Sequence, residues 1–364
     1  MRSIETILRR DILFLQWLFP CQSDVPNDNR SLKLPHYPII PIMTPPPWVL
    51  FHHQNQKIYP SIVKARLVFI LATKIDIDTL VKLTLRDDEM MALRSLLRLA
   101  KRSYYRLLTT TFGDSKGLVL TTPRSGRGKG LKYKLDLSSG NEDGYYTGKY
   151  DCKILDHLNT LIKPGMVVWE FGVFVGYYTT IFSRWCGPNG KVVAFEPNPD
   201  NRARASENAR LNGHMNTIFC PFAIGGPLGT IDFIINSNTN SHIPGVFVGA
   251  TMEEYTSRVE RKEKILRVEC YSPDQLLERT EIPKPDFIKI DIEGAELYAM
   301  QYMENICKTV RPLICLELHN PECDRAAFEF SQKHHYQIFV IEKGIVATRY
   351  EDVGGTLLLT PKTV

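Results

Sequence analysis

Four acidic residues close short apolar runs in this chain. Glu170 ends Met166-Val-Val-Trp-Glu170, Glu196 ends Lys191-Val-Val-Ala-Phe-Glu196, Asp291 ends Lys284-Pro-Asp-Phe-Ile-Lys-Ile-Asp291, and Glu317 ends Pro312-Leu-Ile-Cys-Leu-Glu317 with His319 just beyond. A carboxylate neutralises a cation, accepts hydrogen bonds from hydroxyls, or takes a proton as a base, and an imidazole exchanges protons near neutrality. Taken singly, each acid reads as a helix cap or a surface group. Taken in succession at strand ends they share a site, because open parallel sheets bind ligands outside the carboxyl ends of their strands.

The turn after the first run, Phe171-Gly-Val-Phe-Val-Gly176, carries glycines where a chain leaves a strand and starts a helix close to a ligand. Glu196 follows Gly176 by 20 residues, where such folds place an acid on ribose hydroxyls. The ligand is therefore expected to contain a ribose. A dinucleotide turn reads GxGxxG, but here Phe174 stands at the central glycine position and Glu170 precedes the first glycine. A pyrophosphate wants bare N–H groups and little negative charge, whereas S-adenosylmethionine (AdoMet) carries an ammonium and a sulfonium. AdoMet is the expected ligand, and a nicotinamide-dependent oxidoreductase is the weaker reading.

The elements that must carry these residues form βαβ units. A helix over Tyr177 to Trp185 joins the first two runs, Asp200 to Asn212 is a second crossover helix, and Asn216 to Ala223 a third strand. Thr230 to Ile235 and Leu266 to Cys270 add strand signals around an insertion, Asn236 to Thr251, that borders the acceptor side; Tyr336 to Glu342 and Gly355 to Leu359 suit a closing antiparallel pair. The expected fold is α/β, a mostly parallel sheet with helices on both faces.

Upstream, residues 1–60 hold a proline cluster that suits an arm or linker, and 61–112 read as helical, with Leu93, Leu96, Leu97, Ala100 and Tyr104 on one face suited to an oligomer contact, a substrate cap or packing on the main core. Residues 113–150 read as a β-rich connecting segment and 151–364 as the catalytic domain. The basic cluster Arg124, Arg127, Lys129, Lys132 and Lys134 suits a solvated loop better than an anionic acceptor.

A net charge of +5 in 364 residues lacks the basic excess of a nucleic-acid binder, and no nucleic-acid partner is expected. Eight scattered cysteines without a CxxC pair read as reduced residues of a cytoplasmic protein. Asp11 interrupts a short N-terminal apolar run, which resembles a signal peptide only faintly and leaves a peripheral membrane contact as the weaker alternative, and Lys64, Arg66 and Lys74 cut the run from Ile62 to Ile75, so no membrane span is expected.

Over about 145 to 360 the chain resembles the FkbM-type methyltransferases, a branch of the class I AdoMet-dependent fold. Three stretches carry the resemblance: Glu170-Phe-Gly-Val-Phe-Val-Gly-Tyr-Tyr-Thr179, Phe195-Glu-Pro-Asn-Pro199, and Phe287-Ile-Lys-Ile-Asp-Ile-Glu-Gly-Ala-Glu296, with Arg311 to His319 following at the family's spacing. The resemblance implies that Glu170, Gly172 and Gly176 frame the methionine end of AdoMet, that Glu196 holds its ribose, and that Asp291 lies beside the transferring methyl. Glu170 and Phe174 depart from the family's Asp and Asn in that loop. The expected activity is O-methylation of a hydroxyl on a small metabolite or glycan, with Asp291 or His319 as base and Glu317 orienting His319. A divalent cation bridging Asp291, Glu317 and His319 is a third arrangement that those ligand types suit, though no metal is predicted. A non-catalytic AdoMet-fold scaffold, docking a partner through the N-terminal helices, is the rival from another class.

Overall fold

The computed structural model describes residues 101–138, 142–226, 229–235, 241–242 and 264–362. The apolar runs fold as β1 (Val167–Phe171), β2 (Lys191–Phe195), β3 (Thr217–Cys220), β4 (Phe287–Ile290), β5 (Leu313–Glu317), β6 (Tyr336–Val340), β7 (Ile345–Ala347) and β8 (Thr356–Pro361). They join one sheet in the order β7-β6-β8-β5-β4-β1-β2-β3. β3, β2, β1, β4 and β5 are mutually parallel. The expected closing pair is present, with β8 inserted between β5 and β6 and antiparallel to both. From β1 the chain winds outward through β2 and β3, then returns to β4 on the other side of β1. That reversal opens a crevice at the carboxyl ends of β1 and β4.

Side chains alternate strictly between the two sheet faces. Val168, Val192, Phe287, Cys315 and Leu358 join one core with residues of α1 (Cys152–Leu161) and α2 (Tyr177–Cys186). Trp169, Phe171, Val193, Phe195, Ile288 and Ile290 join a second core with α5 (Glu304–Thr309) and α6 (Pro321–His334). Between them in the chain lie α3 (Pro199–Leu211) and α4 (Glu296–Gln301). Both α3 and α6 start on an Asn-Pro pair: the side chains of Asn198 and Asn320 accept from Asp200 N and Cys323 N, and the proline follows at the first helical position.

Upstream of the sheet, 101–112 is helical and Val119–Thr121 pairs antiparallel with Tyr133–Leu135, the hairpin expected there. Tyr133 and Leu135 are fully buried in the same core as Val168. The second hairpin strand docks on α3 through amide side chains: Asn208 Oδ1 accepts from Lys134 N at 2.8 Å while its Nδ2 donates to Val175 O at 2.8 Å, and Asn212 pairs with both backbone groups of Lys132. Arg204 on α3 grips the buried Glu142 with both terminal nitrogens, at 2.9 and 2.6 Å.

The signals at Thr230 to Ile235 and Leu266 to Cys270 are realised as Gly229–Ile235 and Lys264–Tyr271, in a separate four-stranded sheet with Ala223–Ile224 and Ser241–His242. Most of the insertion Asn236 to Thr251, the arm assigned to residues 1–60, and the part of the 61–112 helical segment before residue 101, with all of its apolar face but Tyr104, lie outside the described residues.

Candidate active site

Strand parity fixes the site before any side chain is placed. Lys289 is in register with Glu170 on one side and Cys315 on the other, and Glu170 with Ala194. Counting in twos from that row brings Glu196, Asp291 and Glu317 to the same face as Glu170, at the carboxyl edge. The four acids named from the sequence therefore share one side of one sheet edge.

They divide into two pairs. Glu170 is 1% exposed and accepts a 2.6 Å hydrogen bond from Thr179 Oγ1 in the first turn of α2. Burial pushes its carboxyl up to about 8, against the Thr179 hydrogen bond and the Lys289 charge. Glu196 is also buried, and its two oxygens accept separately, Oε1 from Asn198 N and Oε2 from Phe174 N, both at 2.9 Å. Burial raises it to about 7 in spite of those backbone donors.

The loop between β1 and α2 explains its glycines by packing. Gly172 has φ 82°, and a Cβ there would lie 1.8 Å from the carbonyl oxygen of Asp291. Gly176, at φ 78°, presses on Ala205 of α3, where a Cβ would come within 2.8 Å. Phe174 holds φ 51°, a left-handed conformation that asparagine tolerates far better than an aromatic residue. The asparagine that the resemblance calls for at this position would suit that backbone better.

At β4 and β5 the groups are partly exposed and mutually charged. Asp291 Oδ2 accepts from Lys289 Nζ at 2.7 Å, and Asp291 Oδ1 lies 3.6 Å from His319 Nε2. Lys289 is 3% exposed, with its ammonium 4.5 Å from the centre of the Tyr178 ring. Burial opposes its charge, yet Asp291 and Glu317 outweigh burial and hold it above the usual lysine range. Glu317 is pushed up to about 7 by burial and by the Asp291 charge. Tyr178 Oη donates to Asp151 Oδ2 at 2.9 Å, and Asp151 is raised mainly by burial.

His319 is held differently from the expectation. Glu296, not Glu317, meets its Nδ1, at 2.9 Å. Burial pulls the imidazole down, but the Glu296 hydrogen bond and the charges of Glu296, Asp291 and Glu293 carry it up to about 9. Single ligand atoms of Asp291, Glu293 and His319 lie within 4.8 Å of one another. That set differs from the Asp291, Glu317 and His319 trio expected for a bridging cation. The Lys289 ammonium already serves Asp291 as its cation, and these three are not identified as metal ligands.

Sequence reasoning missed Lys289, Asp151, Tyr178 and Glu296. A lysine inside a strand buried at all four positions was the available signal for Lys289; the other three need tertiary contacts to be seen. Most of the basic cluster is satisfied internally: Arg127 pairs with Asp156, Lys134 with Asp114 and Glu207, and Arg124 donates to Tyr146 Oη. That pairing favours the solvated-loop reading. Among the described residues all seven cysteines are free, and no helix is long and apolar enough to cross a membrane.

The donor set fits AdoMet: a wall of carboxylates suits a sulfonium and an ammonium, and each Glu196 oxygen keeps a second lone pair for a ribose hydroxyl.

Residues 168–342 match the family described as the methyltransferase FkbM domain. Hexuronic acid methyltransferase AglP of Haloferax volcanii is 29% identical over 154 residues, 42% of this chain and 56% of that protein. The chain thus spans little more than half the length of this curated relative. Among solved structures, a methyltransferase FkbM from Methylobacillus flagellatus is similar at 14% identity and a TM-score of 0.36, covering 80% of this chain and 60% of that one. An O-methyltransferase from Thermotoga maritima, described as SAM-dependent, is similar at 10% identity and a TM-score of 0.32, covering 57% and 65%.

Proposed function

We propose that the protein, whose residues 168–342 match the methyltransferase FkbM domain, is an AdoMet-dependent O-methyltransferase acting on a hydroxyl of a glycan or small saccharide. The observation that carries the proposal is the convergence of Glu170, Glu196, Asp291 and Glu317 on one sheet face with His319 beside Asp291. The relative's hexuronic acid supports a sugar acceptor. Carboxylates in number are also what sugar hydroxyls need as hydrogen-bond acceptors. Free cysteines support a cytoplasmic location.

AdoMet, when bound, supplies a methyl group already activated for displacement. Glu196 holds the ribose hydroxyls, and Gly172 and Gly176 let the β1–α2 loop run close to the ligand. Glu170 is buried, where it accepts from Thr179 and ties β1 to α2. An acceptor hydroxyl must lose its proton as its oxygen attacks, and Asp291 and His319 are the groups placed to take it. Lys289 fixes the direction of the Asp291 carboxyl by donating to its Oδ2.

Calorimetry should show binding of AdoMet and its demethylated product with little affinity for NAD. The base is identified by pH. His319 in the free protein keeps its proton up to about 9, so if it is the base, kcat/KM on a uronate-containing saccharide rises with pH toward that value. If Asp291 is the base, that rise is absent and Asp291→Asn carries the loss instead. NAD binding tighter than AdoMet would overturn the assignment.

A further inference from the structure

Glu296 opens α4 and has no accessible surface. Its Oε1 accepts from Ile292 N at 3.0 Å and meets His319 Nδ1 at 2.9 Å; its Oε2 faces the Cys323 thiol at 3.5 Å. With Nδ1 committed to this carboxylate, Nε2 is the ring nitrogen left to face the strand edge, 3.6 Å from Asp291 Oδ1. We propose that Glu296 is a positioning residue that holds the His319 ring with Nδ1 protonated and Nε2 presented beside Asp291 to the acceptor hydroxyl.

The inference rests on the methyl-transfer reading. In proton transfer the hydroxyl proton goes to Nε2, while Nδ1 keeps its own and donates it to Glu296. A neutral imidazole is oriented by the hydrogen bond on its other nitrogen, and a buried carboxylate also strengthens it as a base. The groups facing the ring come from every side: Glu296 from α4, Asp291 from the end of β4, Glu293 from the turn that follows, and Glu317 from the end of β5, with Lys289 on the far oxygen of Asp291. Glu293 sits at φ 54°.

A bland alternative is that Glu296 only closes the turn through Ile292 N. Glu296→Gln separates the two, since glutamine keeps the size and an acceptor oxygen but removes the charge. In full-length protein with ¹⁵N-labelled histidine, the His319 resonances are assigned by their loss in His319→Ala and followed over pH. Wild type should show Nδ1–H in its neutral form and titrate near 9, and Glu296→Gln should lower that midpoint tenfold or more in proton affinity. An unmoved midpoint overturns the proposal. So does a neutral form carrying Nε2–H, which wild type alone can reveal if the variant fails to fold. A shift of Nε2 on adding Mg²⁺ or Zn²⁺ alone would make His319 a metal ligand and also overturn it. AdoMet calorimetry on the same samples is a separate readout: loss of binding in wild type refutes the underlying function, while loss confined to the variant refutes a role restricted to His319.

Discussion

Glu170 and Glu196, at the ends of β1 and β2, are carboxylates sealed from solvent and satisfied by one hydroxyl and two backbone N–H groups. Asp291 and Glu317, at the ends of β4 and β5, are half-buried beside a buried ammonium and an imidazole. The same residue types on the same face of the same edge are thus set to different tasks by their partners. Backbone donors give a cradle of fixed geometry. Side-chain ions give a site in which charge and protons move.

If that division is right, mutations on the two sides fail in different measurements. The largest effect is expected at the base: His319→Ala or Asp291→Asn, whichever carries the proton, should lose roughly 10²–10⁴-fold in kcat while AdoMet affinity by calorimetry stays within a few fold. Two fully active single variants would dissolve the contrast.

Next in size is Lys289→Met, which leaves Asp291 and Glu317 without their buried cation and should cost about 3 kcal/mol of stability by urea unfolding. Here pH sharpens the test. His319 has a folded value near 9, above its ordinary value of 6.5, so its contribution to stability is complete below about 6.5 and is lost as pH rises through 9. The buried Glu170 and Glu196, raised to about 8 and 7, act with the same sign from lower pH. Subtracting the His319→Ala profile isolates the histidine.

On the cradle side Glu196→Ala should weaken AdoMet by about 1.5–3 kcal/mol, the size of hydrogen bonds to a charged group, and leave the pH dependence of catalysis in place. The smallest effect is expected at Phe174→Asn. Relief of the left-handed backbone is worth about 1 kcal/mol, offset by the packing of a partly buried ring, so calorimetry should register a few-fold gain in AdoMet affinity at most.

How much was readable before folding follows the same division. The acids announce themselves because each closes an apolar run, and strand parity then dictates their common face, so Glu170, Glu196, Asp291 and Glu317 were visible from spacing. The mostly parallel sheet with a closing antiparallel pair was equally legible, since alternating runs and helices read as right-handed βαβ units. Glu296 was not legible as the partner of His319. It lies 23 residues away in the chain, and nothing local distinguishes it from Glu317, only two positions from the ring. The small second sheet escaped for a related reason: a strand signal states that a run pairs, not with which neighbour.

Asn208 reaches in two directions, to the carbonyl of Val175 in the ligand loop and to the amide of Lys134 in the upstream hairpin. One consequence concerns how the protein is cut for expression. A fragment starting at the first residue of the crossover sheet would discard the hairpin, strip the cover from Tyr177 and leave Asn208 with half its partners, and the loop would loosen where it must be stiff. Fragments for crystallisation or display should therefore begin ahead of Val119, and a fusion tag belongs on that side of the hairpin, not between it and α1.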